Sequence, residues 1–218
     1  MTGRFLIKIC GVTTARDAAA AAAAGAGAIG INFWPGSKRF IGDDAAAHSV
    51  AAAIPPGVLK VGVFVNADVA TVQRTMATFG LDRVQLHGDE RAADFAAIDP
   101  ARLIRAVRVR GEDAFAEAAT WPPGLRLYDA FADGFGGSGI VAPWTLIARS
   151  AVPPFLLAGG LTPANVAAAI TTVGPDGVDV ASGIEQAPGR KDPTLMAAFV
   201  AAARAAVAAL ADTQKIGR

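Results

Sequence analysis

The chain has 218 residues, 53% hydrophobic and 18% charged, and its 20 Lys and Arg against 19 Asp and Glu leave a formal net charge of +1. One cysteine, Cys10, excludes an internal disulfide framework, and with only His48 and His87 beside it a four-ligand Cys/His zinc site cannot be built. Balanced charge argues against a broad nucleic-acid surface, and no apolar run approaches the roughly twenty residues of a membrane span; the expected compartment is the cytoplasm.

Short segments rich in Ile, Val, Leu and Phe alternate with longer Ala-rich ones. A strand is expected at Phe5–Cys10, then a helix at Thr14–Ala24 that Gly25 ends. Strand Ala28–Phe33 leads to helix Asp43–Ala53, strand Leu59–Val65 to helix Val69–Phe79, and strand Arg83–Leu86 to helix Arg91–Ile98. The second half continues with strand Arg102–Val107 and helix Glu112–Ala119, then strand Leu125–Asp129 and helix Pro143–Arg149. Strand Phe155–Ala158 precedes helix Pro163–Thr172, and strand Gly177–Val180 precedes helix Pro193–Ala211. Thr162-Pro163 and Asp192-Pro193 each set a capping side chain before a proline at the first helical position.

Strict alternation implies parallel strands with crossover helices, and 218 residues over eight units is about 27 per unit, the size of a compact α/β single-domain (β/α)8 barrel. An open doubly wound sheet is the alternative. Its usual Gly-x-Gly-x-x-Gly turn after the first strand is absent, since Gly11 stands alone there. The barrel is expected over residues 1–211, with a flexible polar tail over 212–218.

In such a barrel chemistry collects at the carboxyl ends of the strands. The first strand ends in Cys10-Gly11, Ser37-Lys38-Arg39-Phe40 follows the second, and Asn66 and His87-Gly88 end the third and fourth. Asp129 ends the sixth, before a glycine-rich loop (Gly134, Gly136-Gly137-Ser138-Gly139) that also carries Asp133, a weaker candidate. Gly159-Gly160 and Ala181-Ser182-Gly183 follow the last two strands. Glycine turns on these adjacent strands let backbone N–H groups approach an anion, and a short helix from Ser182 would add its positive end, so they read as a phosphate site. Cys10 and Asp129 are candidates for an acid–base pair. Arg39 offers a planar fork for a carboxylate, and His87 could assist; His48, within a helix, reads as structural.

Alternation along the first strand puts Lys8 on the same face as Cys10. A lysine in a barrel core needs a partner, and Asp179 on the adjoining last strand is the candidate. The positive charge of Lys8 is expected to favour the Cys10 thiolate and lower the thiol pKa.

Together these residues resemble phosphoribosylanthranilate isomerases. Lys8-Ile9-Cys10-Gly11, Ser37-Lys38-Arg39-Phe40, Val61-Gly62-Val63-Phe64-Val65-Asn66 and Val84-Gln85-Leu86-His87-Gly88 match motifs of that family in order. So do Gly136-Gly137-Ser138-Gly139, Ala158-Gly159-Gly160-Leu161 with Pro163 and Asn165, Val178 through Glu185, and Pro188-Gly189-Arg190-Lys191-Asp192. Departures are Ala142-Pro143-Trp144, where the family often has aromatic-Asp-Trp, Ala181 for a common Ser, and Asn32 for an aromatic or apolar residue.

The resemblance implies a cofactor-free, metal-free Amadori rearrangement of N-(5-phosphoribosyl)anthranilate in tryptophan biosynthesis, giving 1-(2-carboxyphenylamino)-1-deoxyribulose 5-phosphate. Cys10 would be general base and Asp129 general acid. Arg39 and His87 would face the anthranilate carboxylate, and Gly159, Gly160, Ala181, Ser182 and Gly183 would take the phosphate. The partner is then a small phosphoribosyl substrate, with neither nucleic acid nor membrane, and the enzyme a monomer or homodimer. Another phosphosugar isomerase barrel and a non-catalytic phosphosugar-binding barrel are the competing readings. The second need not keep both Cys10 and Asp129.

Overall fold

A computed structural model describes residues 5–129 and 144–216, with side chains described as far as residue 212. The glycine-rich loop, Asp133 and Ala142-Pro143 lie outside the described residues. Eight parallel strands close into a barrel in chain order: β1 (Leu6–Cys10), β2 (Ala28–Asn32), β3 (Leu59–Phe64), β4 (Arg83–Leu86), β5 (Leu103–Arg108), β6 (Leu125–Asp129), β7 (Phe155–Ala158) and β8 (Gly177–Val180). Around it run α1 (Ala15–Ala24), α2 (Asp44–Ala53), α3 (Val69–Phe79), α4 (Asp113–Ala119), α5 (Trp144–Ser150), α6 (Val166–Val173) and α7 (Pro193–Ile216). A small antiparallel hairpin, β9 (Glu185–Ala187) and β10 (Arg190–Lys191), lies between β8 and α7.

Two apolar layers hold these elements. Inside the barrel Ala28, Val61, Ile104, Ala106, Leu127, Leu156 and Ala158 pack together. The other strand faces carry Ile7, Ile9, Ile29, Leu86, Val107 and Leu157 into the shell of helices. Alanine sets how that shell is built: Ala18 and Ala21 of α1 are fully buried, with α2 and α7 as neighbours. Small side chains let the helices lie close to strands and to each other.

Three elements differ from the sequence reading. Arg91–Ile98 is no α-helix but a 3-10 turn at Ala92–Phe95, followed by another at Pro100–Arg102. Phe95 and Ile98 point inward three residues apart, the 3-10 repeat, and Pro100 disfavours helix at Asp99. Helix α6 starts at Val166, because Asn165 Oδ1 accepts the Thr162 N–H at 2.7 Å and closes a turn first. Helix α7 continues past Ala211 to Ile216, with no glycine or proline until Gly217. By length and composition Pro193–Asp212 could cross a membrane. Its bulky residues Met196, Phe199 and Val200 are instead buried against the barrel, with α1 and α6 alongside.

The barrel closes where β1 meets β8, with Lys8 directly opposite Asp179. Lys8 is 0% exposed and its Nζ donates to Asp179 Oδ1 at 2.9 Å. Burial alone would push this ammonium down. Attraction to Asp179, helped by Cys10, outweighs it and holds the pKa above the ordinary lysine value. The contribution of the raised Lys8 pKa to stability is therefore present at neutral pH and is lost as pH rises through that raised value.

Removing one partner strands the other. Asp179→Leu is expected to cost about 3–5 kcal/mol in urea unfolding near neutral pH, and adding Lys8→Met to recover most of it. A loss below about 1 kcal/mol for Asp179→Leu alone contradicts this account of the closure.

Candidate active site

The rim formed by the strands' carboxyl ends gathers most of the expected residues. Cys10 ends β1 and is 9% exposed. Its sulfur stands over Gly30 of β2: a Cβ there would lie 2.8 Å from Cys10 Sγ and 3.2 Å from Lys8 Nζ. Glycine is thus what leaves room for thiol and ammonium together. Burial pushes the Cys10 thiol up, Lys8 and Lys191 pull it down, Asp179 pushes it up, and the net direction is upward. The expected lowering is therefore corrected. Lys8 does act in the expected sense, but loss of solvation around the thiolate is the larger effect.

Asp129 ends β6, separated from β1 by β7 and β8. One carboxylate oxygen, Oδ2, lies 3.5 Å from His87 Nε2. The other, Oδ1, is buried and has no hydrogen-bond partner among the described residues. His87 Nδ1 is in turn 3.2 Å from the Gln85 amide nitrogen. His87 thus stands against Asp129, and among the described residues no hydrogen bond or ion pair joins it to Arg39.

Arg39 reaches the rim from the loop after β2, and its fork is engaged. Nε donates to Glu185 Oε1 at 2.7 Å and Nη2 to Oε2 at 2.6 Å. Lys191 Nζ donates to the same Oε1 at 2.8 Å. Burial pushes the Glu185 carboxyl up, but the hydrogen bonds from Arg39 and Lys191 prevail and hold its pKa below the ordinary range. Burial is the larger effect on Lys191, whose pKa is lowered. Among the described residues, three cations, Lys8, Arg39 and Lys191, act on Cys10, and two anions, Asp179 and Glu185, pair with them. One positive charge is left over, which a thiolate at Cys10 would balance.

On the adjoining strands, Gly159 and Gly160 adopt φ of +90° and +63°. After β8 the expected short helix is a single 3-10 turn, Ser182–Ile184, so little helix dipole is available there. Gly183 packs onto the carbonyl of Leu161, with no space for a side chain, and this draws the two glycine turns together. His48 lies on α2, its Nδ1 2.8 Å from the Asp44 carbonyl oxygen.

Sequence reasoning gave Glu185 and Lys191 no role, although both sit in quoted motifs, because their partners are distant in the chain. It also missed Arg105, 4% exposed on β5. The Arg105 guanidinium donates to Glu90 and the Gly88 carbonyl at 2.9 Å and to Glu117 at 2.6 Å, and lies 5.0 Å over Trp121. Glu90 accepts the Asn66 and Gly88 N–H groups, so this cluster fastens the loops after β3 and β4, where His87 sits. A charged residue in the middle of an otherwise apolar strand, Leu103-Ile104-Arg105-Ala106-Val107, could have flagged it.

A parallel barrel that places a buried thiol, a carboxyl group and two glycine turns on one rim defines an acid–base enzyme of the TIM-barrel class. Residues 7–202 match the family model described as N-(5'-phosphoribosyl)anthranilate (PRA) isomerase. The N-(5'-phosphoribosyl)anthranilate isomerase of Magnetococcus marinus is 47% identical over 202 residues, 92% of this chain and 95% of that one. The crystal structure of phosphoribosyl anthranilate isomerase from Thermotoga maritima matches with a TM-score of 0.84 at 36% identity, covering 92% of this chain and 98% of that one. A second, in complex with reduced 1-(o-carboxyphenylamino)-1-deoxyribulose 5-phosphate, matches at 0.81 and 35% identity with the same coverage, 92% and 98%. The chain belongs to the N-(5'-phosphoribosyl)anthranilate isomerase family. It is an aldose–ketose isomerase of tryptophan biosynthesis.

Because Cys10 is the sole cysteine, its titration can be read from the pH dependence of alkylation. The midpoint is expected above the ordinary thiol range. It should rise further in Lys8→Met/Asp179→Asn, which removes the larger pull of Lys8 without stranding a partner. A midpoint below that range, or one unmoved in the double variant, contradicts the balance described.

Proposed function

We propose that the rearrangement of N-(5-phosphoribosyl)anthranilate is divided between Asp129 as general acid and Cys10 as general base. The observation that carries this reading is the pairing, on one rim, of a buried thiol beside Lys8 with a carboxyl group whose Oδ1 has no partner among the described residues. Asp129 gives a proton to the ribose ring oxygen as the C1–O bond breaks, and the nitrogen lone pair forms the C1=N bond of a Schiff base. The Cys10 thiolate then takes the C2 proton. The C2–H electrons form C1=C2, and the C1=N π pair returns to nitrogen, leaving an enolamine. Loss of the enol hydroxyl proton and protonation at C1 give the ketone.

The leftover positive charge around Cys10 favours the thiolate that the second step needs. His87, 3.5 Å from Asp129, orients the acid. Arg39 keeps Nη1 free of Glu185 and offers it to the anthranilate carboxylate. Gly159, Gly160, Ala181, Ser182 and Gly183 take the phosphate through backbone N–H groups. Every one of these residues comes from a single barrel, so a monomer or a homodimer serves equally, and the cytoplasm, where the small precursors are made, is the compartment we assign.

The test couples anthranilate and phosphoribosyl pyrophosphate through a phosphoribosyltransferase, makes the labile substrate in place, and consumes product with indole-glycerol-phosphate synthase, without added metal. Cys10→Ala and Asp129→Asn are each expected to lower turnover by about 10²–10⁴-fold, the usual cost of losing a proton-transfer group. Near-parental turnover in either variant removes that residue from the mechanism.

A further inference from the structure

No group of the hairpin β9–β10 gives or takes a proton in the proposed reaction, yet the hairpin carries a buried ammonium. Lys191 lies directly across from Glu185 in the hairpin register and is 2% exposed. An ammonium so placed is costly unless its N–H groups find acceptors. Two are engaged: Nζ donates to Glu185 Oε1 at 2.8 Å and to the backbone carbonyl of Ala181 at 3.0 Å. The hairpin itself is pinned from below, where Thr13 Oγ1 donates to the Gly189 carbonyl at 2.6 Å and the Lys191 N–H reaches Asp17 Oδ2 at 3.3 Å.

The two bonds of this ammonium lead to two different places. Through Glu185 it reaches the fork of Arg39, in the loop after β2. Through Ala181 it reaches the first residue of the turn after β8. Among the described residues no hydrogen bond joins the loop at 33–43 directly to 181–183. Under the reading above, on which this inference rests, these places hold opposite ends of the substrate: carboxylate at Arg39, phosphate at 181–183. We propose that Lys191 is a positioning residue that fixes the spacing between the carboxylate-binding and phosphate-binding ends of the site. It touches no substrate. It acts by making one buried charge the common anchor of both arms, so that a ligand carrying both groups at the right separation meets two prearranged sites.

This role has a signature that packing alone lacks. Inorganic phosphate and anthranilate each need one arm, whereas the reduced 1-(o-carboxyphenylamino)-1-deoxyribulose 5-phosphate needs both at once. Calorimetric titration of the whole chain with each of the three probes separates them. In Lys191→Met the two fragments are expected to bind as they do to the parent, while the linked ligand binds about a hundred-fold more weakly, the scale of losing prearranged geometry. Glu185→Gln keeps the shape of the hairpin and weakens only the arm to Arg39. It is expected to leave phosphate binding unchanged and to weaken the linked ligand, and it decides the matter should Lys191→Met not fold. Linked-ligand affinity equal to the parent's in the folded variants overturns the proposal. So does loss of both fragments in step with the linked ligand, which marks Lys191 as packing only. A parent that binds neither phosphate nor the linked ligand overturns the reading of the site itself, and the positioning role with it.

Discussion

A lysine with no exposure at the seam of a barrel is the constraint on which the rest of this structure depends. Lys8 can be buried only because Asp179 arrives opposite it, and Asp179 arrives there only if β8 pairs with β1 in one register. A slip of one residue would turn the lysine toward the helices and strand the carboxylate. The pair therefore specifies closure as well as stabilising it. It also sets the floor of the active site, because two residues further along β1 the same face carries Cys10 at the rim.

From that floor the electrostatics of the site follow. Burial makes the thiol harder to ionise, and the surrounding cations work against burial. Lys8 does so from beneath. Arg39 and Lys191 come from a loop and a hairpin and share Glu185 between them. Asp179 answers Lys8 and Glu185 answers two cations, so among the described residues one positive charge is left over beside the thiol. Across the rim, Asp129 Oδ1 is buried without a partner among the described residues, and in the proposed division of roles this carboxyl group serves the substrate. The two groups to which we assign opposite roles stand on separate strands, in separate surroundings.

Much of this was legible in the chain. Alternating strands and Ala-rich helices gave the barrel, and strand alternation gave the Lys8–Asp179 pair, because period and register are local consequences of sequence. The strand ends gave Cys10, Asp129 and the glycine turns for the same reason. Effects set by distant partners were not legible. Nothing near Arg39 in the sequence announces that Glu185, far along the chain, will take its fork, nor that Lys191 will hold that carboxylate from the other side. The Cys10 thiol was misjudged in direction because a charge can be read from a neighbouring residue, whereas desolvation needs the whole fold. The 3-10 turn in place of Arg91–Ile98 belongs to the same class: the inward anchoring of Phe95 and Ile98, three residues apart, and Pro100 after Asp99 outweighed helix propensity.

The central claim is a division of labour: Asp129 opens the ring and Cys10 removes the C2 proton. Single-turnover kinetics with substrate deuterated at ribose C2 test it most directly, comparing Cys10→Ser with Asp129→Asn. If the claim holds, deuterium slows Cys10→Ser, where proton abstraction limits, and leaves Asp129→Asn unaffected, because ring opening limits there. An isotope effect of equal size in both variants, or one seen only in Asp129→Asn, would contradict it.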